Sequence, residues 1–220
     1  GGVHSVAAGG AGWRGGLVVR VAGMGCGRVV RAGPPRAGRV KWRLGGKVGW
    51  PGATGFYRVT LSRLLRTVGH DPRWRTVLAV TPDRATNDSV WSAGLSVIGQ
   101  GYGDLGARMQ RPMLALPPGP VVIVGSDIPD MAPRHIEEAF RLLGDNDVVF
   151  GPADDGGYWL IGLKRRPHVP QIFKCVRWST KHALNDTLKN CRNLSVGIAE
   201  TLADVDRRKN WKKWRRGDPV

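Results

Sequence analysis

Val121-Val122-Ile123-Val124-Gly125-Ser126-Asp127-Ile128-Pro129 decides the fold. Four β-branched residues in succession, with no polar side chain among them, predict a strand buried on both faces, as in the middle of a parallel sheet. The apolar run stops at Gly-Ser-Asp. Asp127 therefore stands where open α/β sheets hold their ligands, in the crevice beyond the strand carboxyl ends.

Outward from this strand, Arg28-Val29-Val30-Arg31, Thr76 to Thr81, Leu95 to Ile98, Asp147 to Phe150 and Leu194 to Ile198 predict further strands. Phe56, Val59, Leu61, Leu64, Leu65 and Val68 fall mostly on one face of a helix over about residues 53 to 68. Asp104 can cap a second helix carrying Leu105 and Met109, and Pro133 suits the first turn of a third in which Ile136, Ala139, Phe140 and Leu143 recur at helical spacing. His135 is expected on that helix's exposed side. A fourth helix is expected from about Lys181 to Cys191, capped by Ser179 or Thr180. Strands alternating with helices make an α/β domain.

The formal net charge of +17 belongs to the two ends of the chain. Residues 1 to 70 hold 12 Lys or Arg and no acid, and residues 207 to 216 hold 7 more, whereas residues 71 to 206 carry 15 bases against 16 acids. Residues 1–27, with ten glycines, resist compact folding and are expected to form a poorly ordered extension. Residues 28–206 then form one domain and 207–220 a basic Trp/Lys/Arg tail. That tail could pack as a solvated helix, stack on nucleic-acid bases or lie on an anionic membrane. Cys26, Cys175 and Cys191 form neither a CxxC pair nor a disulfide framework, which fits a reducing cytoplasm. Leu17 to Ala22 is too short to span a bilayer, so a soluble protein is expected.

Three further stretches carry candidate chemistry. Gly33 to Leu44, a loop dense in glycine, proline and cations, follows the first strand and can cradle phosphate through backbone N–H groups and basic side chains, or be an ordinary solvated loop. Gln100-Gly101-Tyr102-Gly103-Asp104-Leu105-Gly106 is a tight strand-to-helix turn that either reads a base through Gln100 or simply turns the chain. In Gly151 to Gly162, Asp154 and Asp155 precede two glycines and an apolar strand, and paired carboxylates need a cation or donors nearby. Asp204 and Asp206 alternate, so both carboxylates can point to one side of an extended segment.

The segments PRAGRVKWRL (Pro35 to Leu44), QGYGDLGARM (Gln100 to Met109), VVIVGSDIPD (Val121 to Asp130), DVVFGPADDGGYWLIGL (Asp147 to Leu163), RWST (Arg177 to Thr180) and LADVD (Leu202 to Asp206) resemble a bacterial family of GT-A-like glycosyltransferases. Some of its members are described as arsenosugar-biosynthesis-type glycosyltransferases. The family is similar to the guanylyltransferases acting on 2-phospholactate and molybdopterin. The resemblance implies a Rossmann-like GT-A (nucleotide-diphosphosugar transferase) fold, a single three-layer α/β domain with a mixed, mostly parallel sheet. It implies a catalytic role for Asp127 and Asp155, and Mg²⁺ or Mn²⁺ held by Asp127 with Asp206 or Asp204. Arg36, Gly38, Arg39, Lys41 and Arg43 would hold the phosphates, and Gln100, Gly101, Gly103 and Gly106 would line base and ribose. The expected activity is transfer from a nucleotide sugar to a small-molecule acceptor. A nucleoside triphosphate substrate with release of pyrophosphate is the alternative, and a catalytically idle nucleic-acid-binding protein is the alternative of another class.

Overall fold

Seven strands, β1 (Gly27–Ala32), β2 (Arg75–Val80), β3 (Ser96–Gly99), β4 (Val121–Val124), β5 (Val148–Pro152), β6 (Tyr158–Leu163) and β7 (Val196–Ile198), form one sheet in the order β3-β2-β1-β4-β6-β5-β7. The computed structural model describes residues 27–35, 41–91, 94–205 and 208–220. β3, β2, β1 and β4 run parallel, β5 and β7 run parallel, and β6 lies antiparallel to both β4 and β5. The reversal has a local cause: β5 and β6 are joined by the short Asp154–Gly157 turn, which only an antiparallel pair can use. All four β4 side chains are buried, as their apolar run predicts.

Among the described residues six α-helices, α1 (Trp42–Val48), α2 (Trp50–Leu64), α3 (Leu105–Ala115), α4 (Pro133–Asp145), α5 (Ala183–Lys189) and α6 (Arg208–Arg216), flank the sheet. Strand alternation sends Val30, Val122, Val124 and Leu160 to one face, where they meet Phe56 and Leu61 of α2 and Ile136 and Ala139 of α4. Val29, Ile123, Phe150 and Ile161 face the other way, against Met109 and Met113 of α3 and the partly buried Leu184 and Leu188 of α5. The result is a three-layer α/β domain with a mixed, mostly parallel sheet.

Several local expectations change. Residues 42–44, expected at the end of a loop, instead begin α1, where Leu44 is fully buried, and Lys41 opens the helix in the left-handed region at φ 49°. α2 begins at Trp50, with Pro51 in its first turn, and continues beyond Leu64 as one π-helical turn through Gly69. His135 is buried, not exposed: its Nδ1 accepts the Ala132 N–H at 2.9 Å, closing the first turn of α4 from inside, and its ring meets Trp159 edge-on. Burial, with Arg134 beside it, lowers the imidazole pKa, and Glu200 offsets this only in part.

The basic C-terminal segment packs on the same core. Trp211 and Trp214 of α6 face inward, Trp214 meeting the Phe56 ring edge-on at 4.8 Å, while Lys212, Lys213, Arg215 and Arg216 are exposed. The tryptophans are thereby engaged in packing instead of being presented for base stacking. Residues 1–26 lie outside the described residues. Among those described, no helix is long and apolar enough to cross a membrane, and Cys175 and Cys191 are free thiols.

Phe56 is fully buried between α2, the sheet and α6. Phe56→Ala is therefore expected to lower unfolding stability by about 3–5 kcal/mol. Trp214→Ala should cost less, because Trp214 keeps part of its surface in water. Urea midpoints for the two variants test the order. A Phe56→Ala midpoint equal to that of the wild type would mean that this core is not the one that holds α2.

Candidate functional site

β4 ends where Gly125 donates its N–H to the Trp159 carbonyl at 2.9 Å. Beyond that bond the chain turns outward and carries Asp127 past the strand end, with parallel β1 on one side of β4 and antiparallel β6 on the other. This is a point where the sheet changes direction, the kind of crevice in which α/β sheets bind ligands.

Lys41, at the N-terminus of α1, reaches across to Asp127 with Nζ 2.7 Å from Oδ2. Tyr57 of α2 fixes the approach. Its hydroxyl donates to the Gly33 carbonyl at 3.0 Å, accepts the Gly33 N–H at 2.9 Å and lies 3.2 Å from Ser126 Oγ. One phenol thus ties the end of β1 to the residue preceding Asp127. Burial alone would push the Asp127 carboxyl up, but the charge and hydrogen bond of Lys41, helped by Arg31, outweigh it and hold the pKa below the usual value. Asp127 is therefore ionised at neutral pH.

On the other side of Asp127 lies a cavity of about 260 Å³ whose wall includes Arg31, Asp155, Tyr158, Trp178 and Asp204. Each reaches it by a specific device. Asp155 bends back to accept the Gly157 N–H at 2.9 Å, and Gly156 between them adopts φ +87° against the Lys181 backbone, where a Cβ has no space. Asp204 is delivered by the segment after β7, because Leu202 bridges to Ala153 in parallel fashion and its N–H bonds the Pro152 carbonyl at 3.2 Å. Trp178 is placed by its neighbour: Arg177 forks onto Asp186 of α5 with bonds of 2.7 and 2.8 Å. The Trp178 ring then packs against Tyr158 and Phe173. That fork draws the Asp186 carboxyl well below the usual carboxylate range.

The structure brings Asp127, Asp155 and Asp204 to one cavity and Lys41 to its edge. Arg36, Gly38, Arg39 and Asp206, and the side chain of Arg43, lie outside what is described. Gln100 does not face a base: its buried amide donates to the Ala32 and Ala79 carbonyls at 3.2 and 2.9 Å, tying β1 and β2 together at their carboxyl ends. Gly101 and Gly103 occupy positive φ in the turn before α3, and Gly106 gives close approach to Phe173 and Trp178, so all three serve turning and packing. Among the described residues no group of three or more His, Cys, Asp or Glu side chains is arranged to hold a metal ion. Sequence reasoning passed over Arg31, Tyr158 and Trp178. Arg31 had a legible signal, a cation following two valines in a strand and sharing the face of Val29.

The sequence profile of the bacterial family described as "uncharacterized protein conserved in bacteria (DUF2064)" matches residues 64–180. No curated protein matches the chain. Among solved structures, a Desulfovibrio desulfuricans G20 protein provisionally assigned as a nucleotide-diphospho-sugar transferase is similar, with a TM-score of 0.76, 26% identity, and coverage of 85% of this chain and 88% of that one. The 4-diphosphocytidyl-2C-methyl-D-erythritol synthase of Anaerococcus prevotii DSM 20548 shares the fold at a TM-score of 0.54, with 10% identity over 86% of this chain and 95% of its own. Rv0371c of Mycobacterium tuberculosis H37Rv, solved in complex with manganese, shares it at 0.51, with 16% identity over 88% and 97%.

The Arg177–Asp186 fork predicts a pH signature. A carboxyl whose folded pKa is depressed adds stability that is fully present above its unfolded value, about 4, and is lost as pH falls toward the folded value. Thermal unfolding should therefore find Arg177→Met less stable than the wild type at pH 7, with the gap closing below about pH 4. A gap that persists unchanged in acid would mean that Arg177 acts by packing.

Proposed function

The chain belongs to the bacterial family DUF2064, and on that premise we propose that it is a metal-dependent transferase acting on a nucleotide-activated donor, specifically a glycosyltransferase that moves a sugar from a nucleotide sugar to a small-molecule acceptor. The observation that carries this reading is the ionised Asp127 at the carboxyl end of the central strand, with a cation on one flank and an acid-bearing cavity on the other. The likeness to the Desulfovibrio protein supports it.

Glycosyl transfer breaks the bond between the anomeric carbon and a diphosphate oxygen, and the departing diphosphate takes the electron pair. The acceptor oxygen forms the new bond and gives up its proton. Lys41 is placed to follow the negative charge as it gathers on the leaving phosphates, since a lysine ammonium is a mobile point charge on a flexible stem. Asp155 is placed to take the acceptor's proton: Oδ1 is held by the Gly157 N–H, which fixes the carboxylate at the cavity wall. Tyr158 and Trp178 supply apolar ring surface for a sugar.

Carboxylate oxygens suit a hard divalent cation, and Mg²⁺ binds through one or two carboxylates plus substrate phosphates, which agrees with the lack of a preformed cage among the described residues. Asp127 and Asp204 would hold Mg²⁺ or Mn²⁺, with Asp206 as a further candidate ligand, and the ion would neutralise charge on the diphosphate. Lys41 would release Asp127 to the ion and turn to the phosphates. Arg36, Arg39 and Arg43 are proposed as further phosphate contacts, with Gly38 giving the backbone room.

A second reading, nucleotidyl transfer with release of pyrophosphate, is favoured by the same Lys41, a cation well placed to hold a triphosphate at the strand end. Incubation with nucleotide sugars and, separately, with nucleoside triphosphates, each with Mg²⁺ or Mn²⁺ and candidate acceptors, separates the two. Nucleoside diphosphate release is expected, and Asp127→Asn should lower it by about a hundredfold or more, the scale of losing one charge-stabilising group. Pyrophosphate release without turnover of any nucleotide sugar would replace the first reading by the second. Full turnover by Asp127→Asn would remove both.

A further inference from the structure

Arg31 occupies an unusual place for a cation. It lies in β1, registered against Ala79 of β2, and the alternation that sends Val30 and Ala32 into one core layer turns Arg31 to the opposite face, with Val29. There it forms part of the cavity wall, between the apolar side chains of Leu105 and Met109 of α3 and Ile123 of β4 and the carboxylates of Asp127, Asp155 and Asp204. Its Nε is shut off from solvent without an acceptor, and no hydrogen bond or ion pair holds its guanidinium among the described residues. Asp127 is the carboxylate that acts on it most strongly, yet Asp127 already carries Lys41 at 2.7 Å. A cation set into the sheet, half-buried and with its Nε given no acceptor by the protein, is a costly choice, and an apolar residue would serve the sheet better if packing were all that was needed. Burial accordingly lowers its affinity for the proton, against the partial opposition of Asp127.

Trp178 adds a second observation. It stands in the wall of the same cavity, and its indole N–H is also buried without an acceptor. A cation in the wall to which the protein gives no hydrogen-bond acceptor, beside an indole that lends its ring to the same wall, describes a site for a ligand that carries an anionic group. The guanidinium fork matches phosphate and carboxylate in geometry as well as charge.

We infer that Arg31 docks an oxyanion, a phosphate or carboxylate, carried by the acceptor substrate, whose apolar or ring portion lies against Tyr158 and Trp178. The inference rests on the reading of this cavity as the acceptor side of a transferase. Position argues for acceptor over donor. Lys41 comes to Asp127 from the α1 side and is no part of the cavity wall, whereas Arg31 lies within the wall on the other side of the same carboxylate. The donor's phosphates would thus be met by Lys41 and the acceptor's anion by Arg31, with Asp127 next to both cations.

Calorimetric titration of the full chain tests this with phenyl phosphate, benzoate and neutral phenol as acceptor-side probes, and with UDP and GDP plus Mg²⁺ as donor-side probes. The wild type is expected to bind phenyl phosphate at least about tenfold more tightly than phenol, the scale of one charge-assisted contact. Arg31→Met should abolish that preference while leaving nucleoside diphosphate affinity within about twofold, and its melting temperature should equal or exceed that of the wild type because a half-buried cation that makes no hydrogen bond to the protein has been removed from the sheet. Arg31→Gln, which keeps a polar group without the charge, repeats the measurement if the methionine variant does not fold. A preference for phenyl phosphate that survives Arg31→Met overturns the proposal. So does an equal loss of UDP or GDP affinity, which assigns Arg31 to the donor, and so does a lowered melting temperature accompanying the lost preference, which assigns it to structure. Failure of the wild type to bind any nucleoside diphosphate would count against the donor reading alone, since the phenyl phosphate arm uses neither nucleotide nor metal.

Discussion

A strand buried on both faces can offer chemistry only where it ends. β4 has no polar side chain along its length, so the backbone groups of Val121–Val124 are satisfied by β1 and β6 and the side chains by the two core layers. Everything polar that this strand contributes is forced to its carboxyl end, and the neighbouring strands bring their own contributions to the same place. Arg31 is the penultimate residue of β1, Tyr158 the first of β6, and Asp155 belongs to the turn that β5 and β6 share. The cavity is a consequence of strand register.

Charge at that point is balanced by position. Asp127 meets Lys41 directly and Arg31 at longer range, so one carboxylate stands between two cations of different character. Lys41 reaches in from the start of a helix with its side chain almost enclosed and its ammonium on the carboxylate, and Arg31 projects from the sheet. A lysine ammonium is a compact point charge and a guanidinium a planar fork, so the two cations can contact oxyanions in different ways. Lys41 is also the group that neutralises the carboxylate directly, so Asp127 carries no bare charge.

What could be read from the sequence follows from how local each signal is. The strand-and-helix order, the cap at Asp104 and the placement of Asp127 rest on spacing within a few residues, and the family resemblance extended that to the GT-A-like fold. The inward turn of Gln100 was not legible, because its acceptors, Ala32 and Ala79, lie 68 and 21 residues away. His135 was misjudged for a related reason: the polar atom that suggested exposure is the one that closes the first turn of its own helix. α1 was missed because glycines and cations signal a loop, while the burial of Leu44 that stabilises it depends on the core beneath. Trp178 could be seen as part of a motif, but only the Arg177–Asp186 fork gives it a direction.

The C-terminal helix shows how far such long-range dependence extends. By composition it is the least site-like part of the chain, a run of cations and two tryptophans. Yet Asn210, buried in α6, donates its side-chain amide to the Asp204 carbonyl at 2.9 Å and so fixes the backbone that delivers an acid to the cavity. Trp214 presses on Phe56, and the next residue of α2 is Tyr57, whose hydroxyl links Gly33 to Ser126. The chain terminus closes the circuit, the Val220 N–H bonding Asp130 at 2.9 Å, three residues beyond Asp127. Through these contacts α6 acts on both flanks of the central carboxylate without approaching it. Of its outward cations, Arg215 lies over the Trp211 ring and Arg216 pairs with Asp218, while its inward face is constrained by the geometry of the site.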